Sequence, residues 1–106
     1  MKTRKSLWFI PLVVAAVFAA GAPAGLAYDG EYFRVCRLNP MGDNYLSLRT
    51  CGSTRCPEIT RMGPGTEVVS VNPYPRRRWW EVEILDNTGA RTGIIGWAYG
   101  RYLCRE

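Results

Sequence analysis

Residues 79–85 read WWEVEIL, and their alternation decides the fold class. Successive side chains of a β-strand point to opposite faces of the sheet. The even positions of this stretch are apolar, whereas the odd positions begin with Trp79, Glu81 and Glu83, so the pattern predicts a half-buried strand. Both carboxylates are then ordinary exposed positions, and Trp79 is a large aromatic side chain on the polar face. We therefore expect Trp79 to contribute to a binding surface.

Short apolar segments bounded by turn residues lie on both sides of this strand. Gly, Pro, Asn and Asp cluster between these segments, as is typical of turns. The segments predict strands over residues 32–38, 45–49, 66–71 and 94–99, with a short apolar piece at 59–62. About five short antiparallel strands in so short a chain predict an all-β protein, either a small closed barrel or a sandwich.

The first 27 residues have the organisation of a secretory signal peptide. Three basic residues precede an apolar run that ends in small residues. We favour cleavage after Ala27, although residues 22–24 offer a second site. An uncleaved membrane anchor is the alternative, but prolines and a glycine interrupt the run, and a spanning helix needs about twenty consecutive apolar residues. We therefore expect a secreted or periplasmic protein, with residues 28–106 as one domain and no stable membrane insertion after cleavage.

The charge of the expected mature chain is small. Three of the 14 basic residues precede residue 28, which leaves 11 arginines against 9 acidic residues. The formal charge of +5 for the whole chain therefore overstates how basic the exported domain is. Polyanion binding depends on many positive charges, so nucleic acid is not the expected partner.

Four cysteines, an even number, fit a small exported domain that needs a covalent staple. Three pairings are possible, and we favour Cys51 with Cys56 and Cys36 with Cys104. The second pair would tie the first strand to the last, which in the chain-entropy model contributes roughly 4 kcal/mol. A zinc site is disfavoured, because the chain has no His and the intervals of 14, 4 and 47 residues between cysteines do not suit zinc. No metal and no other cofactor is expected.

Catalytic groups are hard to assemble from this sequence. It has no His, and no Lys after residue 5. Both disulfides together would leave no thiol free, and no Ser stands beside a base. We therefore expect a binding protein rather than an enzyme.

A series of motifs resembles, in order, those of bacterial Src homology 3 (SH3-like) domains. That family runs as a Leu-rich strand ending in Arg, a Gly/Ser loop, a short apolar strand, a Pro-Gly-Thr turn, a Trp-Trp strand and a Gly-Trp strand followed by Tyr-Leu. The counterparts here are residues 46–49, 52–54, Ile59, residues 64–66, Trp79 with Trp80, Gly96 with Trp97, and Tyr102 with Leu103. The resemblance covers nearly all of residues 28–106 and implies a small SH3-like β-barrel.

The resemblance also implies a shallow aromatic groove, lined by Tyr45, Trp79, Tyr99 and Tyr102. Aromatic rings offer large rigid contact areas, and eukaryotic relatives bind extended peptides in such a groove. Exported bacterial relatives often target peptidoglycan, so cell-wall peptide or glycan is the leading ligand class. The alternative for Tyr99 and Tyr102 is that they only close the barrel end. Trp80 and Trp97 are expected to be structural.

Arg76, Arg77 and Arg78 directly precede Trp79, so a ligand on the indole would meet guanidinium groups that bind carboxylate or phosphate. A solvated loop tip is the alternative, and stacking of Arg78 on an indole is a third possibility. A second functional hypothesis is a protein-interaction or inhibitor module. In that hypothesis the loop 51–56 and the three arginines present a rigid surface to another exported protein.

Overall fold

The structure, a computed structural model, describes residues 28–106. The expected signal peptide, residues 1–27, lies outside the described residues. Seven strands are formed: β1 (Tyr32–Val35), β2 (Leu46–Arg49), β3 (Glu58–Met62), β4 (Glu67–Ser70), β5 (Trp79–Leu85), β6 (Arg91–Tyr99) and β7 (Leu103–Arg105). One 3-10 turn, Gly100–Tyr102, precedes β7. Within residues 28–106 there is no helix with the length and apolarity needed to cross a bilayer.

The predicted all-β class is confirmed, but the expected number of about five strands is wrong. The apolar piece at 59–62 is a full strand, β3, paired with β2. The seventh strand, β7, has three residues and pairs with β1. A strand of this length shows no alternation in sequence, so its partner rather than its pattern defines it.

All seven strands belong to one antiparallel sheet, in the order β3-β2-β6-β5-β4-β1-β7, which curls into a half-barrel. The hairpin of β5 and β6 is its centre, and the register places Trp79 opposite Tyr99 and Glu81 opposite Trp97. Strand β2 lies on the far side of β6, where Arg49 pairs with Trp97. This order brings the outward side chains of β2, β6 and β5 next to one another.

The concave side of the sheet holds the core. Its buried members are Phe33, Val35, Leu46, Leu48, Met62, Val68, Trp80, Val82, Ala98 and Leu103. Trp80 packs on Phe33 with ring centroids 5.0 Å apart, which confirms its predicted structural role. Gly96 permits the close approach of β2 to β6, because a Cβ there would lie 2.7 Å from Leu48 Cγ and 2.8 Å from the Arg49 carbonyl oxygen.

The expectation that Trp79 and Glu83 are exposed on β5 is wrong. Trp79 is 9% exposed and Glu83 is 8% exposed. Glu83 accepts hydrogen bonds from Arg91 Nη1 at 3.1 Å and from the Gly93 amide at 2.8 Å, so its charge is paired where the hairpin covers it. The alternation assigned the two faces of the strand, but it could not show that loops fold over the outer face.

Both favoured disulfide pairings are confirmed. Cys36 is bonded to Cys104 and Cys51 to Cys56, with Cα separations of 5.9 and 5.6 Å. No cysteine among residues 28–106 is free. Two intramolecular disulfides are typical of a protein in an oxidising compartment.

Candidate binding groove

A groove of about 550 Å³ opens where β2, the loop 50–57, the loop 72–78 and the end of β6 meet. We call it the aromatic groove. Its lining residues are Leu46, Ser47, Arg49, Gly52, Ser53, Thr54, Arg77, Trp79, Tyr99 and Tyr102. Three of the four predicted aromatic residues and one of the three predicted arginines are therefore in it.

The three aromatic side chains form a continuous wall. The β5–β6 register places Trp79 beside Tyr99, with ring centroids 5.3 Å apart. The 3-10 turn then returns Tyr102 to the same place, and its ring centroid lies 6.3 Å from that of Tyr99. Both pairs are tilted, a favourable arrangement for aromatic quadrupoles. Although Trp79 is buried, its remaining exposed edge belongs to this wall.

Gly52 of the disulfide loop explains why Trp79 is buried. A Cβ on Gly52 would lie 3.1 Å from the Cβ of Trp79 and 3.4 Å from the Trp97 ring. The backbone of the loop therefore rests directly on the two indoles. The Cys51–Cys56 disulfide closes this loop, which contributes Ser53 and Thr54 to the lining of the aromatic groove.

Tyr45 lies beside the aromatic groove and not in it. It lines an adjoining depression that shares Ser47, Arg49 and Tyr102 with the groove. The guanidinium of Arg61 lies over the Tyr45 ring, 4.2 Å from its centroid. Tyr45 is therefore partly covered by its own chain.

The three consecutive arginines are separated by a tight turn. The N–H and C=O of Arg76 both bond to Trp79, at 2.8 and 2.9 Å, and Arg77 and Arg78 between them have φ of 51° and 73°. Positive φ at both central residues is the pattern of a type I′ turn, which Asn and Gly usually occupy. Arg77 lines the aromatic groove, Arg76 lies near Trp97, and Arg78 lies near Trp80.

Sequence reasoning missed Arg49 and the polar residues of the groove. Arg49 is half-buried, and its Nη1 donates to the carbonyl oxygen of Cys56 at 3.0 Å, which ties β2 to the disulfide loop. Ser47 is also an outward residue of β2. The alternation of β2 does predict that Ser47 and Arg49 point away from the core. The sequence does not predict the strand order that places β2 beside β6.

The aromatic groove is electropositive. Arg49 and Arg77 line it, and no acidic residue does. Glu58 on β3 is bound nearby, since Ser47 Oγ donates to it at 2.5 Å and Arg61 Nε at 3.1 Å. These contacts, the Ser47 hydrogen bond above all, hold the pKa of Glu58 below its ordinary value.

Comparison with models of known protein families, with curated protein sequences and with solved structures gives no match for this chain. The residues of the groove are therefore the basis for a functional assignment. Within the described part of the chain, no cluster of three Asp, Glu, Cys or His residues could hold a metal ion.

Proposed function

We propose that this chain is an exported, noncatalytic SH3-like module that recognises cell-wall peptide or glycan through the aromatic groove. One observation carries the proposal, namely the continuous wall of Trp79, Tyr99 and Tyr102 along an open groove. Rigid aromatic walls bind extended ligands at low entropic cost. The proposed SH3-like identity is supported by the curled antiparallel sheet together with the order of the sequence motifs.

The polar groups of the groove fit such a ligand. Arg49 and Arg77 provide guanidinium donors for a carboxylate, and Ser53 and Thr54 are hydroxyl-bearing residues of the same lining. The lining residues include no carboxylate, imidazole or thiol, so binding suits them better than acid–base chemistry does. Export is supported by the basic and apolar organisation of residues 1–27 and by the two disulfides.

Retention of the purified protein on peptidoglycan at low and high salt tests the proposal. The informative variant is Tyr99→Ala, because Tyr99 is half-buried in the groove wall. Tyr74→Ala is its matched control, because Tyr74 is 79% exposed and does not line the groove. We expect retention at both salt concentrations, at least about tenfold weaker for Tyr99→Ala and unchanged for Tyr74→Ala. Equal retention of the two variants, or loss of retention at high salt, would contradict the proposal.

A protein partner is the second candidate. Met41 is 92% exposed and Tyr74 is 79% exposed, so two large side chains project from loops into solvent. Such side chains are enriched in protein interfaces. If the folded protein is not retained on peptidoglycan, capture of an exported protein that is lost in a Met41→Ser/Tyr74→Ser variant would support this candidate.

A further inference from the structure

A second cleft, separate from the aromatic groove, is lined by three arginines. We call it the arginine cleft, and its lining residues are Arg37, Pro75, Arg78, Trp80, Gly100 and Arg101. It has a volume of about 430 Å³ and shares no lining residue with the aromatic groove. The arginines come from three separate segments, which follow β1, precede β5 and precede β7.

Hydrogen bonds fix these three segments against one another. The Gly100 amide donates to the carbonyl oxygen of Arg78 at 2.7 Å, and Arg37 Nη1 donates to that of Arg101 at 2.9 Å. The disulfide between Cys36 and Cys104 clamps the same region. Each guanidinium has five N–H donors, so Arg37 keeps donors for a ligand after this contact. The three backbone segments that carry the arginines of the cleft are therefore held together by the fold.

The arginine cleft has no counter-charge of its own. No acidic residue lines it, and the ion pairs found within residues 28–106 involve Arg61, Arg91 and Arg105. Two of its three arginines also sit in the left-handed region, with φ of 59° at Arg37 and 73° at Arg78. Side chains other than glycine are disfavoured there, and such strain concentrates at ligand sites. Three like charges that form no ion pair within residues 28–106, two of them on strained backbone, point to an external anion.

We propose that the arginine cleft binds a phosphate group. Guanidinium forks match the oxygens of phosphate, and three forks from three segments suit a tetrahedral anion with several oxygens better than a single planar carboxylate. The indole of Trp80 provides a rigid wall for the cleft. The phosphate is either the free ion or a phosphodiester of an anionic polymer. The two clefts share no lining residue, so phosphate binding here can be tested separately from peptidoglycan binding in the aromatic groove.

Nuclear magnetic resonance titration of the purified, oxidised protein tests the site. Sodium phosphate is added, with sodium chloride at equal ionic strength as the control. We expect saturable shifts of the Trp80 indole N–H and of the Gly100 amide with phosphate, and only small linear shifts with chloride. A second titration with dimethyl phosphate, a simple phosphodiester, then distinguishes a site for free phosphate from a site for a phosphodiester. Saturation by both probes supports a phosphodiester site, and saturation by inorganic phosphate alone supports a free-phosphate site.

An Arg78→Gln/Arg101→Gln variant tests whether the phosphate-induced chemical-shift changes depend on the arginine cleft. Its apparent affinity for phosphate should fall at least about tenfold. Arg34→Gln/Arg55→Gln is the matched control, because it removes the same two charges from exposed residues that do not line the cleft, and it should bind like the original protein. Phosphate shifts no larger than those with chloride would overturn the proposal, and so would equal affinity in a double variant whose spectrum stays dispersed.

Discussion

At the residue scale, Trp79 both supports the disulfide loop and forms part of the wall of the aromatic groove, whereas the sequence predicts only a place on a binding surface. It was expected to be an exposed ligand-binding residue, whereas the structure places it under Gly52 with only an edge in the aromatic groove. The indole therefore supports the disulfide loop and Tyr99 as well as forming part of the wall. A substitution of Trp79 would therefore destabilise the fold, so a loss of binding in that variant would not by itself identify a ligand contact.

Replacing Trp79 with alanine is therefore expected to reduce the free energy of unfolding by about 3–5 kcal/mol, because a large buried side chain is lost and a cavity remains. Tyr74→Ala should change it by less than about 0.5 kcal/mol, because the Tyr74 side chain is exposed. Chemical denaturation of both variants measures the difference. Equal stability of the two variants would show that the indole does not hold the loop.

The turn at Arg77 and Arg78 is a second feature at this scale. Two arginines occupy positions with positive φ that glycine and asparagine fill at lower cost. Natural proteins often accept such local strain where a side chain serves function. This strain is consistent with the proposed binding roles of Arg77 in the aromatic groove and Arg78 in the arginine cleft.

An Arg77→Asn/Arg78→Gly variant should be more stable by about 0.5–1 kcal/mol, because the favoured turn residues relieve the left-handed strain. Its binding should nevertheless weaken, because the aromatic groove loses one of its two guanidinium groups. Thermal unfolding and peptidoglycan retention, measured on the same preparation, check both parts. A more stable variant with full retention would exclude Arg77 from recognition.

At the element scale, the β5–β6 hairpin places Trp79 beside Tyr99 in the aromatic groove. The Asp86 carboxylate accepts the hydrogen bonds that stabilise the turn of this hairpin. Asp86 Oδ1 accepts from Thr88 Oγ1 at 2.7 Å, from the Thr88 amide at 2.8 Å and from the Ala90 amide at 2.9 Å. The Thr88 hydroxyl is the largest cause, and the Ala90 amide the next, of a pKa of Asp86 below its ordinary value. The ionised form is thus favoured in the folded state.

The stabilisation from Asp86 should therefore be complete above the ordinary Asp pKa of about 4 and should disappear as the pH falls through the lower folded value. Asp86→Asn keeps an acceptor oxygen without the charge, so it removes this part of the pH dependence. We expect the difference in Tm between the original protein and the variant to shrink from about pH 7 to about pH 2.5. Glu58 is present in both proteins, so its contribution to the pH dependence cancels in the difference in Tm. A difference that does not change with pH would contradict the assignment.

At the scale of the whole molecule, the two disulfides have different tasks. Cys36–Cys104 spans a sequence separation of 68 and links the residue after β1 to β7, whereas Cys51–Cys56 spans 5 and closes the loop that lines the aromatic groove. In the chain-entropy model the long link contributes about 4 kcal/mol and the short one about 2 kcal/mol. Stability therefore depends more on the first, and groove geometry more on the second.

Serine replacement of each cysteine pair should separate these tasks. Removing Cys36 and Cys104 should lower the free energy of unfolding about twice as much as removing Cys51 and Cys56. Removing Cys51 and Cys56 should weaken peptidoglycan retention more, because Ser53 and Thr54 lose their fixed position. Denaturation and retention assays measure the two effects. A larger stability loss from the short pair would contradict this division.

The sequence predicted those features that depend on local pattern or on cysteine spacing. It gave the all-β class, the bounds of β5 and both disulfides. It could not give the strand order that brings Arg49 of β2 beside β6, because pairing between distant segments leaves no periodic signal. The sequence also could not show that a loop covers Trp79. The contact comes from the backbone of Gly52, which has no side chain that would indicate it in the sequence.

The most direct test of the central claim is to map the site of a soluble peptidoglycan fragment by chemical-shift perturbation. We predict that the largest shifts fall on the Trp79 indole N–H and on the amides of Gly52, Ser53 and Tyr99, which surround the aromatic groove. Turn residues 86–89, at the other end of the β5–β6 hairpin, should not shift. Saturable shifts confined to the groove would establish it as the binding site. Shifts elsewhere, or none from a folded protein, would contradict the account.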